Sequence, residues 1–409
     1  MMSDTSFPSW VRPEVDLVYC ACAVGDRPRR IACFESIVAG RDIDWEYLIQ
    51  VGDNSRITPM LDEAVQRCPN GAVPSEVREA IRRRAEGIKL GNLAMAHELV
   101  EIVRLLEEHG IAAMPLKGPV LAAQLYGDFT RRHCVDLDIL IAKVDVPRAN
   151  KLLLDRGYRF SEELTPEDEG RLLDEDCEFE LESREKGIRI ELHWDAIPRR
   201  HADNFSFELF EERREKASLA GVEFSVFTAE DLLIYLCVHG GDKHLWGRLR
   251  WLCDVAHLLE SRSDLDWDVL MARAVEAGRV EGLLLGTYLA WLVLDAPLPA
   301  AIVDKAVGDP AVLARAGLVH GRLFQIPSRM PTYAEWRRDL ETAGGIIRSR
   351  GFDDRSSVRF MRYLRAVLTP EWTDRQAREF PRGLSFLYYL YRPWRLLRKH
   401  RRRALRHVG

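Results

Sequence analysis

Between Pro74 and Glu108 the apolar residues Ile81, Ala85, Ile88, Met95, Leu99, Ile102 and Leu106 recur every three or four positions, with Asn92 the one polar member of the row. That spacing lays one stripe along a long helix, and the chain before it, from Pro13, carries further helical pattern up to a Pro/Gly break at Cys68 to Pro74. After His109-Gly110 the period changes. A short apolar run, Ile111 to Leu116, meets Lys117-Gly118-Pro119 and then a helical VLAAQLY, which predicts a strand, a turn and a helix with proline just inside its start. Val135 to Ala142 alternates as a strand, and Val146 to Arg156 reads as a helix closed by Gly157.

Cys177 to Ser183 and Gly187 to Trp194 alternate around the polar turn at Arg184 to Gly187, which predicts a β-hairpin that continues the sheet. Val222 to Phe227 is a candidate last strand. Thr228 and Asp231 then form a capping pair for the apolar helix LLIYLCVHG, and everything beyond reads as helix. The predicted fold is therefore α/β of the α+β kind, in three parts: a helical segment over 1–108, a sheet-bearing core over 109–227, and a helical C-terminal domain over 228–409.

Composition narrows the class without choosing a function. At 409 residues, 47% hydrophobic and 30% charged, the chain has the makings of two or three folded domains. Its 59 Lys and Arg against 64 Asp and Glu give a net charge of -5, which excludes the strong overall positive field of non-specific nucleic-acid binders. The eight cysteines show no CxxC pair or zinc-like spacing and have mostly apolar neighbours, so they read as buried thiols of a cytoplasmic protein. The N-terminal residues lack the basic-then-apolar pattern of a secretory signal, and the longest apolar run, Gly282 to Leu294, is shorter than the ~20 residues that span a bilayer. A basic tail from Tyr388 to Gly409 interleaves Arg392, Arg395, Arg398, Lys399, Arg401, Arg402, Arg403 and Arg406 with Trp394 and leucines, and reads as a solvated run or as a contact for RNA or anionic lipid.

The sharpest chemistry is Asp136-Leu137-Asp138 at the start of an otherwise apolar strand. Residues two apart in a strand share a face, ~6.5 to 7 Å apart. Two carboxylates at one partly buried spot repel unless a cation joins them, and oxygen ligands of this type suit Mg²⁺ or Mn²⁺; a solvated strand edge is the plainer reading. Glu191, in the hairpin, is the candidate third acid, or else a surface glutamate paired with Arg189. Lys117-Gly118 before a helix start places a cation beside free amides and the positive end of the helix dipole, where phosphate is favoured, or else is an ordinary strand-helix turn with an exposed lysine. Arg131 and Arg132 either clamp phosphate or solvate a loop. The segment His239 to Asp254 brings His239, Lys243, His244, Arg248, Trp246 and Trp251 together, as a helix-pairing surface or as groups that stack a base on Trp246 and hold phosphate with Arg248; a zinc site of His239, His244 and Asp254 is the weaker alternative.

Taken in order, Leu116-Lys117-Gly118, Tyr126-Gly127-Asp128, Arg131 or Arg132, Asp136-Leu137-Asp138-Ile139-Leu140-Ile141, Gly157-Tyr158, Glu191-Leu192-His193-Trp194 and the His239 to Asp254 segment resemble the bacterial nucleotidyltransferase-like family of the polymerase-β superfamily, much of it uncharacterised. The helical leader with Asp44-Trp45 shares in the resemblance. It implies a small mixed sheet flanked by helices, with Asp136 and Asp138 as ligands of Mg²⁺ or Mn²⁺ and Glu191 as the third acid that aligns or deprotonates an acceptor hydroxyl. It also implies transfer of a nucleoside monophosphate from an NTP such as ATP, with pyrophosphate released and a small molecule, sugar or modified peptide as acceptor. A toxin-type enzyme acting on tRNA and a non-catalytic nucleotide-binding scaffold are the rival readings. The sequence departs from the superfamily where Lys117-Gly118 replaces a Gly-Ser pair and where the third acid is Glu rather than Asp.

Overall fold

A computed structural model describes residues 12–197 and 205–323, the single residues 368, 374, 378 and 380, and residues 382–395. Five helices lead: α1 (Pro13–Cys22), α2 (Arg27–Gly40), α3 (Trp45–Ser55), α4 (Thr58–Arg67) and the long α5 (Ser75–Glu108). The sheet region follows as β1 (Ala113–Pro115), α6 (Gly118–Tyr126), β2 (Leu137–Ile141), α7 (Val146–Asp155), β3 (Arg159–Phe160), α8 (Pro166–Glu175), β4 (Glu178–Ser183) and β5 (Ile188–His193). Next come α9 (Phe207–Arg213), the hairpin β6 (Glu215–Leu219) and β7 (Val222–Val226), and α10 (Ala229–Val238). Then come α11 (Leu249–Ser261), α12 (Trp267–Glu276), α13 (Val280–Leu294), α14 (Ala300–Val307) and α15 (Pro310–Leu323).

The protein is a mixed α/β molecule whose sheet runs β1-β2-β5-β4-β3. Its β2–β5 pair is parallel and its other pairs are antiparallel. Period-two alternation sorts its residues. Leu137, Ile139 and Ile141 of β2, Ile190 and Leu192 of β5, and Phe179 and Leu181 of β4 enter one core with Met95, Leu99, Ile102 and Leu106 of α5. The opposite parity leaves Asp138, Glu191, His193 and Glu178 on the other face. A larger core there joins α1 to α4 with α10, α11 and α13 and takes in Met114 and Leu140 from the sheet.

Two expectations need correction. Val222–Val226 does not extend the main sheet: it pairs antiparallel with β6 as a separate hairpin, a partner that the charged EKASL pattern gave no reason to expect. Seven of the eight cysteines are buried thiols as expected, but Cys33 is exposed, because α2 turns Phe34 and Val38 into the core and Cys33 away from it. The apolar run at 282–294 is buried within α13, and among the described residues no helix is long and apolar enough to cross a membrane. In the tail, Arg392 and Arg395 are held by Asp374 at 2.8 and 2.5 Å. Arg398, Lys399, Arg401, Arg402, Arg403 and Arg406 lie outside the described residues.

Between α10 and α11 the chain makes a π-helical turn, His239–Lys243, and then Leu245 and Trp246 adopt left-handed φ of 52° and 54°. Such backbone costs free energy and persists where packing over-determines it. The cause is Trp246, 1% exposed, whose ring fills the space left by two glycines. A Cβ on Gly240 would lie 2.5 Å from that ring, and one on Gly286 would lie 3.0 Å from its other side. Gly240→Ala is accordingly expected to destabilise the protein by about 1–3 kcal/mol through overpacking. Chemical denaturation of the purified variant checks it, and an unchanged midpoint would show that the ring has room to move.

Candidate active site

The site begins at the turn between β1 and α6. The Leu116 amide donates to the Asp138 carbonyl at 3.0 Å, which sets the turn against β2. Gly118 has φ +70°, a left-handed conformation that residues with a side chain rarely adopt, so glycine is favoured there. Lys117 is thereby brought over the sheet, and its Nζ lies 2.7 Å from Asp138 Oδ1. This turn keeps the helix start that the sequence predicts, but the lysine meets the acid rather than open solvent.

Asp138 and Glu191 are directly opposite one another in the parallel β2–β5 register. Asp136 sits half-buried just before β2. Two residues the sequence reading did not select complete the cluster: His193, two positions beyond Glu191 on the same face, and Glu178, opposite His193 in the β4–β5 register. His193 Nε2 lies 3.4 Å from Asp138 Oδ1 and 3.5 Å from Glu191 Oε2, while its Nδ1 lies 3.2 Å from Glu178 Oε2. Lys243 closes the far side, 3.2 Å from Glu178 and 3.9 Å from Glu191.

Each charge is set by its neighbours. Burial works against ionising Asp138, but Lys117 and then His193 hold its carboxyl well below the usual range. Burial and the Asp138 charge raise Glu191. Glu178 is pulled down to about 2, burial notwithstanding, chiefly by Lys243 and His193. Burial opposes a charge on His193, yet Glu178, Asp138 and Glu191 raise it to about 9. The cluster thus holds cations at a place where acids from three strands meet.

That arrangement fits a divalent cation. Asp138 and His193 are 3% and 2% exposed, and neither the Asp138 oxygens nor the His193 ring nitrogens make a hydrogen bond of regular geometry despite their ion-pair distances. Ligand atoms of Asp138, Glu191 and His193 all lie within 4.8 Å of one another. Buried acceptors left in this state are costly unless an ion or water satisfies them.

The remaining candidates are placed unequally. His239 is buried with Nε2 3.4 Å from Lys117 Nζ, and burial together with the Lys117 charge keeps its imidazole well below its ordinary value. His244 stacks on Trp251 at 4.2 Å, and burial and Lys243 likewise depress it. Arg248 lies over the Trp251 ring at 5.9 Å.

Other candidates are engaged by partners within the fold. Trp246 is interior and presents no face to a base. Arg131 is engaged by Glu63 of α4 at 2.5 Å. Arg132 is buried and bound through two nitrogens to Asp254, at 2.8 and 2.9 Å, so its guanidinium is a structural ion-pair member and not a phosphate clamp. Asp254 also accepts from the Tyr126 hydroxyl at 2.9 Å, which takes it out of the zinc alternative with His239 and His244.

No curated protein matches the chain. Among solved structures, the solution structure of the antibiotic-resistance factor ANT(2'')-Ia is 14% identical with a TM-score of 0.34, covering 45% of this chain and 93% of that one. The crystal structure of ANT(2")-Ia in complex with adenylyl-2"-tobramycin is 15% identical with a TM-score of 0.29, covering 45% and 99%. The family described as uncharacterised nucleotidyltransferase matches residues 41–295, a span that takes in every site residue from Lys117 to Arg248. A strand-turn-helix, one acid just before β2, a second on it and a third on its parallel neighbour lie inside a match to more than half of the 409 residues, and the chain belongs to this nucleotidyltransferase family.

Proposed function

We propose that the protein transfers a nucleoside monophosphate from an NTP such as ATP to a hydroxyl or phosphate group of a small molecule, sugar or modified peptide, with Mg²⁺ or Mn²⁺ bound at Asp136, Asp138 and Glu191. The observation that carries the reading is the Asp138–Glu191 register, which sets two acids side by side on one face of the sheet, with the buried Asp138 oxygens lacking a hydrogen bond of regular geometry. The cation would supply charge neutralisation at the α-phosphate and the departing pyrophosphate. Lys117, at the start of α6 with Gly118, is positioned to exchange its Asp138 contact for the phosphates of an incoming nucleotide. Lys243 is a second cation on the same rim, and His239 supports Lys117 from behind. The acceptor oxygen attacks the α-phosphorus, the bond to the β-phosphate oxygen breaks, and pyrophosphate leaves with that electron pair. Glu191, raised by burial and by Asp138, takes the acceptor's proton. The division at residues 108 and 227 is kept as the proposed domain plan.

Incubation with each NTP, Mg²⁺ or Mn²⁺ and a panel of hydroxyl and phosphate acceptors, read by mass spectrometry, tests the reading. A mass gain of one nucleotide supports it, and no gain with any acceptor and no pyrophosphate release would sink it. Glu191→Gln is expected to leave NTP affinity within a few-fold while turnover falls by ~10² to 10⁴. Calorimetric binding and single-turnover rates on the same variant decide this, with unchanged turnover removing Glu191 from the chemistry.

A further inference from the structure

The geometry points to His193 as a nitrogen ligand of the cation held by Asp138 and Glu191, with Glu178 as the carboxylate that orients the ring, so that the site takes Mn²⁺ or another first-row transition ion in preference to Mg²⁺. The inference rests on the proposed metal-dependent function and adds to it the donor set and the metal class. His193 is 2% exposed, and neither ring nitrogen has a regular hydrogen bond, although the ring lies among three acids. Its Nε2 is 3.4 Å from Asp138 Oδ1 and 3.5 Å from Glu191 Oε2. Donors that share one cation at ~2.0 to 2.2 Å are themselves roughly 3.0 to 3.6 Å apart, so His193 Nε2 already has the spacing of a neighbouring ligand to each acid, and the three ligand atoms all lie within 4.8 Å of one another. Nδ1 faces Glu178 Oε2 at 3.2 Å, and Lys243 fixes that carboxylate from beyond at the same distance. A carboxylate on the far nitrogen sets the tautomer and aim of a metal-bound imidazole.

The strands make the arrangement rigid. Glu191 and His193 share a face because they are two apart on β5, and β2 and β4 on either side present Asp138 and Glu178 in register. An imidazole donor shifts the preference of an otherwise all-oxygen site from Mg²⁺ toward transition ions. Among the described residues, the two clusters of three possible ligand atoms both include His193, one with Asp138 and Glu191 and one with Cys177 and Glu178.

Titrating the full-length protein with Mn²⁺ alone, followed by electron paramagnetic resonance, tests this. The expected result is bound Mn²⁺ with ¹⁴N coupling from one imidazole, not displaced by equimolar Mg²⁺. His193→Gln should lose the coupling and bind about ten- to a hundred-fold more weakly, whereas Glu178→Gln should keep the coupling and weaken binding about tenfold. Should His193→Gln fail to fold, ¹⁵N-histidine labelling of the unmutated protein replaces it, and a coupling that does not change isotope overturns the assignment. Mn²⁺ that binds without nitrogen coupling, and is lost in Asp138→Asn, overturns His193 and leaves the proposed function standing. A protein that binds no Mn²⁺ overturns both.

Discussion

Replacing Asp138 with asparagine is expected to slow nucleotidyl transfer by ~10³-fold or more. The side chain keeps its shape and loses the charge, and with it the acid on which Lys117 and His193 converge and at which the proposed cation would bind. Metal stabilisation of a phosphoryl transition state amounts to several kcal/mol, and each ~1.4 kcal/mol is about tenfold in rate. The fold should endure, because Lys117 retains Glu191 and Asp136 as countercharges. Single-turnover rates with saturating Mn²⁺, set beside circular dichroism and a melting curve, give the answer. A folded variant within about tenfold of the normal rate would remove Asp138 from the metal site.

The second large effect is on stability. Arg132→Met should destabilise the protein by about 3–5 kcal/mol, because it leaves the Asp254 carboxylate buried without its cation. Arg132 and Asp254 side chains are 2% and 1% exposed, and Tyr126 completes the knot. Arg131→Met, which breaks a half-exposed pair with Glu63, should cost about 1 kcal/mol or less. Equilibrium denaturation of both variants tests the contrast. Replacing the pair together, as Arg132→Met with Asp254→Leu, should restore much of the loss, since no unpaired charge is left behind. Against burial, Arg132 holds Asp254 below its ordinary value, so the stability it contributes is present at neutral pH and is lost as the pH falls through the acid range. A stable Arg132→Met protein with a raised nucleotide KM would return this arginine to the phosphate role.

These two arginines show where the sequence stops being legible. They are neighbours in the chain and alike in chemistry, and what separates them is a partner 68 residues away for one and 122 residues away for the other. Alternation along Asp136 to Ile141 and along Ile188 to His193 was enough to find the acids and to put Glu191 beside them, because a strand's period sorts its faces locally. His193 was within reach of the same argument, two residues beyond Glu191, but its motif reads equally well as a core histidine. Glu178 needed the register of β4 against β5, and Lys243 needed the π-helical turn; neither is encoded in a window of neighbouring residues. Trp246 misled for a related reason: its burial depends on glycines at 240 and 286, one of them in another helix.

Asn92, the polar member of the α5 stripe, gives the leader a mechanical part in the site. Its side-chain nitrogen donates to the carbonyls of Phe129 and Arg132, at 2.8 and 2.6 Å, and its oxygen accepts from the Cys134 amide at 3.2 Å. One amide therefore splints the loop that delivers the chain to Asp136. A catalytic piece cut free at residue 109 would carry the acids intact and lose the splint that aims them, and would leave three backbone groups of that loop to find water instead. Grafting this sheet into another protein, or trimming it to a minimal piece, thus has to bring along a helix that supplies none of the clustered acids.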